Sequence, residues 1–155
     1  EFPFVLGDGR RRAEFEVVGP VWERRILDSE GALTEVAVGS GYKLDRSAES
    51  LEDLELLASD FADPDLGYIS TDAEREAATS QLGAAFGRAL IATLGGHWAF
   101  AGDEGLCVAD VGGSGLIVDP VFAVFQRLGI GPVHSLTHHF GTYRALSRAL
   151  APPAP

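Results

Sequence analysis

Between Thr71 and Gly96 small and apolar side chains recur at helical spacing, and directly afterwards the pattern changes to alternation. Ala78, Leu82, Ala85, Phe86, Ala89 and Thr93 fall three or four apart, which predicts a helix over about 71–95 as the central element of the chain. Thr71 followed by Glu74 is a capping-box pattern, and Asp72 and Glu74 put negative charge at the positive end of the helix dipole. Gly83 and Gly87 lie four apart and share one side of this helix. A mid-helix glycine costs roughly 1 kcal/mol against alanine, so the pair predicts that another backbone packs tightly there. Gly95-Gly96 supplies a left-handed stop. Trp98 and Phe100 then alternate with small residues, Gly102-Asp103-Glu104-Gly105 reads as a turn, and Gly112-Gly113-Ser114-Gly115 reads as a second turn before Leu116-Ile117-Val118. The expectation is an antiparallel hairpin or three-strand meander. A simple hairpin sets Ala101 opposite Leu106 and His97 opposite Asp110, with Trp98, Phe100, Cys107 and Ala109 on one face. Ala99, Ala101, Leu106 and Val108 take the other, and since both faces are largely apolar, both are expected to be covered.

Around this centre the chain reads as helices. Leu51, Leu54, Leu57, Ala58 and Phe61 form an apolar stripe, with Ser47 as the expected cap and Glu49, Glu52, Asp53 and Glu55 as an acidic exterior. Asp119-Pro120 is a strong helix start; Val121, Val124, Phe125 and Leu128 are its expected buried face, and Gly129 its stop. Ser135 caps a last helix carrying Leu136, Phe140, Tyr143, Leu146 or Ser147, and Leu150. Residues 20–40 admit two readings, a helix or a hairpin of Val21–Asp28 with Ala32–Val38. Ala13 to Val18 alternates weakly, as an edge strand does, and residues 7–12 read as a glycine turn with a solvated Arg10-Arg11-Arg12. The fold class is therefore α+β: several helices packed on a small antiparallel meander. Residues 1–150 form one domain, with 1–28 the least defined part, and 151–155 a Pro-rich tail or linker.

Composition narrows the function. A formal charge of −11 argues against nucleic acid, whose phosphates call for a basic surface, and against anionic membrane surfaces. It suits a soluble domain, or one that meets a basic protein partner on its acidic face. No apolar run is long enough to span a bilayer, and no signal-peptide pattern is present. A lone Cys107 excludes an intrachain disulfide, so nothing implies an oxidising compartment. Lys43 is the only lysine among many arginines, and Ala and Gly abound, as in GC-rich bacterial genomes; a bacterial cytoplasmic protein is expected. The chain holds no Met and ends in prolines, which suggests an excised domain.

No stretch spells out a catalytic constellation. His134 and His138 are four apart with His139 beside them, but there is no H-E-x-x-H pattern, and cap-region or surface histidines are expected rather than a metal site. Cys107 with His97 and Asp110 suggests a thiol nucleophile, yet the hairpin register turns Cys107 away from the other two. Gly112–Gly115 lacks the Lys-Ser/Thr of a phosphate loop. No catalytic residue, cofactor or metal is assigned. Two candidate binding surfaces remain: a pocket beside His97, Trp98 and Asp110, and the acidic face of Glu49, Glu52 and Glu55.

The segments LDRSAESLEDLELL, LGAAFGRALIATLGGHWAF, GLIVDPVFAVFQRLGIG and SLTHHFGTYRAL, in that order, resemble small bacterial domains of unknown function, including actinobacterial ones. Their pattern is an LD-x-S-x-ESL helix, an LG-xx-xG helix ending before a Trp strand, and a D-P helix with K/R-x-x-x-G. It covers roughly residues 30–147. The resemblance implies a compact α+β domain without a known catalytic constellation, and a helix over about 29–39 in place of the hairpin. It carries over no functional residue. Some comparable small acidic bacterial proteins are immunity or adaptor proteins, so the leading expectation is a non-catalytic module that binds a protein partner. The alternatives are a small-molecule binder or enzyme, and a scaffold or cargo domain of a larger assembly.

Overall fold

In the computed structural model, which describes residues 4–6, 15–101 and 105–152, the chain folds as strands β1 (Phe4–Leu6) and β2 (Phe15–Val17), helices α1 (Pro20–Gly39), α2 (Ser50–Ala62) and α3 (Asp72–Leu94), strands β3 (His97–Ala101), β4 (Leu106–Val111) and β5 (Leu116–Val118), and helices α4 (Pro120–Gly129) and α5 (Leu136–Leu150). This is an α+β fold. Of the regions read from sequence, the Arg10–Arg12 turn, Gly102–Glu104 and Pro153–Pro155 lie outside the described residues.

α3 is the centre because its side chains are small enough to be packed from several directions. The Thr71 hydroxyl accepts the Glu74 N–H at 3.1 Å, and the Glu74 carboxylate reaches back to the Ser70 N–H at 3.1 Å, one residue beyond the cap. These bonds, the Ser70 hydroxyl first, hold the Glu74 carboxyl below its ordinary range. The run Leu82–Gly87 is buried throughout. Both glycines admit a neighbour: a Cβ at Gly83 would lie 2.7 Å from Val121 Cγ2 and 3.0 Å from Val121 Cα on α4, while a Cβ at Gly87 would overlap the Trp98 indole. At Gly83 the close approach is to another backbone; at Gly87 it is to a ring.

The sheet has the order β1-β5-β4-β3-β2 and is antiparallel throughout, so the meander β3-β4-β5 is extended at its two edges by the N-terminal strands. β2 is the edge strand the alternation suggests. The β3–β4 register differs from the simple hairpin by one residue: Phe100 faces Leu106, Trp98 faces Val108 and His97 faces Ala109, not Asp110. The Ala101 N–H bonds the Gly105 carbonyl at 2.9 Å, which leaves a three-residue connection closed by Gly105 at φ +82°. A slip of one moves every β4 side chain to the other face. Trp98, Val108, Leu116 and Val118 thus join the helical core, while Ala99, Ala101, Cys107, Ala109 and Ile117 form a second buried cluster. At Asp110, in the left-handed region at φ +54°, a bulge returns Val111 to the core side.

α1 is longer than expected and the hairpin alternative does not form. Pro20 occupies the first turn, and Ile26, Glu30, Leu33 and Ala37 make one buried face. In α2 the whole predicted stripe is buried. Ser47 acts as a cap for the Ser50 N–H at 3.1 Å, but residues 48–49 form a tighter turn and the α-helix begins at Ser50. α4 starts on its Asp119 cap as predicted, but its buried side is Ala123, Val124, Gln126, Arg127 and Leu128, and Phe125 is 57% exposed. α5, capped by Ser135, buries Leu136, His139, Phe140, Tyr143 and Ser147. No helix among the described residues is long and apolar enough to cross a membrane.

Candidate functional site

The N-terminal half of α1 does not close fully onto α3 and the sheet. Trp22, Arg25, Ile26 and Ser29 are spaced so that they share one side of α1, and with Asp28 beside them, Ser80 and Ala84 of α3, Trp98 and Leu106 of the sheet and Val121 of α4 they line a cleft of about 500 Å³. Its wall is Trp22, 41% exposed, which meets Phe100 edge to face at 5.1 Å. Arg25 lies over the Trp22 ring at 5.0 Å. Its floor is Trp98, only 5% exposed, seated on Gly87. The Trp98 Nε1 is buried and has no hydrogen-bond partner among the described residues. The lining is mostly apolar, with a few polar groups at the edge, the usual make-up of a ligand cleft.

Of the three residues expected to form a pocket, the structure places only Trp98 there. His97 is exposed at the start of β3 and its side chain belongs to the opposite face of the sheet. Asp110 turns its carboxylate to the second turn, where Oδ1 accepts the Gly115 N–H at 2.9 Å. Cys107, against the expected register, shares the face of His97, but it is packed among Ala99, Ala101, Ala109 and Ile117, where a thiol is a small apolar side chain. Sequence reasoning missed the Trp22, Arg25, Ile26, Ser29 spacing of i, i+3, i+4, i+7, which was visible once residues 20–39 are read as a helix.

The acidic face of α2 divides. Glu49 and Glu52 are exposed, but Glu55 turns inward. Its Oε2 accepts Arg127 Nε–H at 2.8 Å and its Oε1 accepts the Leu136 N–H at 2.8 Å, at the start of α5. Arg127, 3% exposed, also donates to the Ser59 hydroxyl at 2.6 Å. This knot ties α2, α4 and α5 together, and Glu55 is engaged in it rather than standing free on the exposed face with Glu49 and Glu52. A second pair joins α1 to the loop after it: Glu30 accepts from Arg46 through both carboxylate oxygens, at 2.9 and 2.6 Å, with Arg88 of α3 at 3.7 Å. Neither arrangement was visible as a site in the sequence.

The histidines also separate. His138 is exposed, His134 sits on the short 3₁₀ turn before α5, and His139 is 1% exposed, contrary to the expected surface or cap-region placement. Its ring stacks between His134 at 5.6 Å and Tyr143 at 5.9 Å, with His138 at 6.2 Å. Neither ring nitrogen has a hydrogen-bond partner among the described residues. Burial first, then the charges of His134 and His138, lower its pKa from 6.5 to about 4. Between those two values the unfolded chain binds the extra proton, so His139's contribution to stability is fully present above pH 6.5 and is lost as pH falls toward 4. The loss is of the order of 2–3 kcal/mol. In thermal melts the drop from pH 6.5 to pH 4 is expected to be several degrees smaller for His139→Leu than for the wild type; parallel curves would show that His139 carries no acid sensitivity.

Among the described residues no group of three or more His, Cys, Asp and Glu side chains is arranged to hold a metal ion. Compared with known proteins, the chain matches no family model, no curated protein and no solved structure.

Proposed function

We propose that this chain is a binding domain whose recognition site is the cleft between α1, α3 and the sheet, and that the cleft takes an apolar group. The observation that carries this reading is a cavity of about 500 Å³ floored by a buried indole and walled by a half-exposed one. Small-molecule sites run from roughly 300 to 1,000 Å³ and are built in this way, from apolar and aromatic side chains with a few polar groups at the edge. The neutral probe N-phenyl-1-naphthylamine is expected to bind and brighten. Ser80→Phe, which puts a ring across the mouth from an exposed position on α3, is expected to weaken that binding at least about tenfold, a difference of about 1.4 kcal/mol. Unchanged binding by Ser80→Phe would place the probe elsewhere and remove the reading.

A second reading, an adaptor-like or immunity-like module that docks on a protein partner, has its own support on α4. Phe122 and Phe125 stack with ring centroids 6.1 Å apart on the outside of the helix, and Ile130 and Val133 are exposed beyond them. Exposed aromatic side chains of this kind are enriched at protein interfaces, and here they give a partner more to hold than the exposed Glu49 and Glu52 do. The double variant Phe122→Ser/Phe125→Ser is expected to abolish partner binding and to leave naphthylamine binding in the cleft unchanged.

A further inference from the structure

Two charged side chains line the cleft, Arg25 and Asp28, and among the described residues they do not pair with each other. Arg24 and Asp28 sit one turn apart on α1 and pair with each other at 3.4 Å. Arg25, between them in sequence, has its guanidinium over the Trp22 ring, and no carboxylate among the described residues pairs with it. A guanidinium stacked on a ring keeps its edge N–H groups available and is already oriented, so it loses less freedom when an anion arrives. The general repulsion from the acidic surface is screened beyond about 8 Å at physiological salt; within the cleft, Asp28 is offset by Arg24, which leaves Arg25 as the charge an incoming anion meets.

Resting on the cleft being the binding site, we infer that its ligand is an amphipathic anion: an apolar body of small-molecule size that fills the space between Trp22 and Trp98, ending in a carboxylate or sulfonate that meets Arg25. The ring walls hold the body by area, and Arg25 selects the charged end through a charge-assisted hydrogen bond.

Two fluorescent probes with the same body separate the parts of this inference. 1-Anilinonaphthalene-8-sulfonate carries the anion and N-phenyl-1-naphthylamine does not. At low salt the sulfonate is expected to bind roughly five- to tenfold more tightly than the neutral probe, as a partly exposed charge-assisted contact gives. In Arg25→Gln the ratio is expected to fall to about one because the sulfonate loses far more affinity than the neutral probe, with the thermal melt of the wild type retained. Equal binding of the two probes by the wild type, or a ratio that Arg25→Gln leaves intact, overturns the anion. Binding of neither probe, or of both equally well by Ser80→Phe, overturns the cleft itself. Competition by decanoate but not by phosphatidylglycerol vesicles assigns the anion to a soluble acid, and competition by the vesicles assigns it to a lipid; either supports an amphipathic anion.

Discussion

Glu55→Ala is expected to destabilise the domain by roughly 3–5 kcal/mol, the loss that follows when one partner of a buried ion pair is removed. On an exposed helix face a glutamate changed to alanine shifts stability by no more than about 0.5 kcal/mol. Glu55, whose side chain is 17% exposed, differs because both its oxygens are engaged by buried groups: Arg127, 3% exposed, and the Leu136 N–H that starts α5. Its removal leaves a guanidinium buried beside the Ser59 hydroxyl alone and a helix N–H without an acceptor. Glu55→Gln keeps the shape and loses the charge, and an intermediate loss is expected. Glu55→Leu with Arg127→Met is expected to recover much of the deficit, since an apolar pair of similar volume often replaces a buried ion pair without loss. Urea unfolding of these variants beside Glu52→Ala, one turn away and exposed, separates the two faces of α2. A Glu55→Ala loss no larger than that of Glu52→Ala would show that the knot stabilises nothing.

Gly87→Ala is the second large effect. Helix propensity alone favours alanine by about 1 kcal/mol. Against this, the new Cβ would overlap Trp98 Cη2 and lie 2.6 Å from Cζ2 and 3.0 Å from Cζ3. The ring is 5% exposed and packed among core side chains, so making room for the Cβ means displacing it toward the cleft that it floors. A net loss of roughly 1–3 kcal/mol is expected, and more for Gly87→Val. Trp98 also floors the cleft, so a displaced ring is expected to weaken naphthylamine binding along with stability. Trp98→Phe removes the overlapping atoms, and the double variant is expected to be more stable than the sum of the single losses by about 1–2 kcal/mol. A Gly87→Ala protein as stable as the wild type, with cleft binding intact, would contradict the contact.

Elements whose signals are local were legible in the sequence. The capping box, the stripe of α2, the Asp119-Pro120 start and the Ser135 cap depend on residues within one or two turns, and they appear where the pattern puts them. The backbone approach expected at Gly83 and Gly87 is found at Gly83, where Val121 packs, but at Gly87 the neighbour is the Trp98 ring; neither partner was legible, because both arrive from later elements. Three features were not legible. The β3–β4 register turns on whether the connection has three residues or four, and one residue moved Cys107 and the partner of His97. α1 carries Glu30 in the middle of its buried face, which breaks the apolar period; Arg46 and Arg88, which make that position tenable, lie on other segments. On α4 the rule that apolar side chains go inside placed Phe125 in the core, whereas Arg127 takes the inward side because Glu55 and Ser59 receive it. Trp98 was legible as a site residue from its strand position; Trp22 and Arg25 were not, because their helix was not.

The chain has two tryptophans, and both line the cleft, one as wall and one as floor. A ¹H–¹⁵N correlation spectrum therefore shows two indole N–H signals that report on the site directly. On addition of N-phenyl-1-naphthylamine both are expected to move in the wild type and to stay in place in Ser80→Phe. Two unmoved indole signals, with shifts gathered instead around Phe122 and Phe125, would show that the probe binds on α4 and that the cleft is not the recognition site.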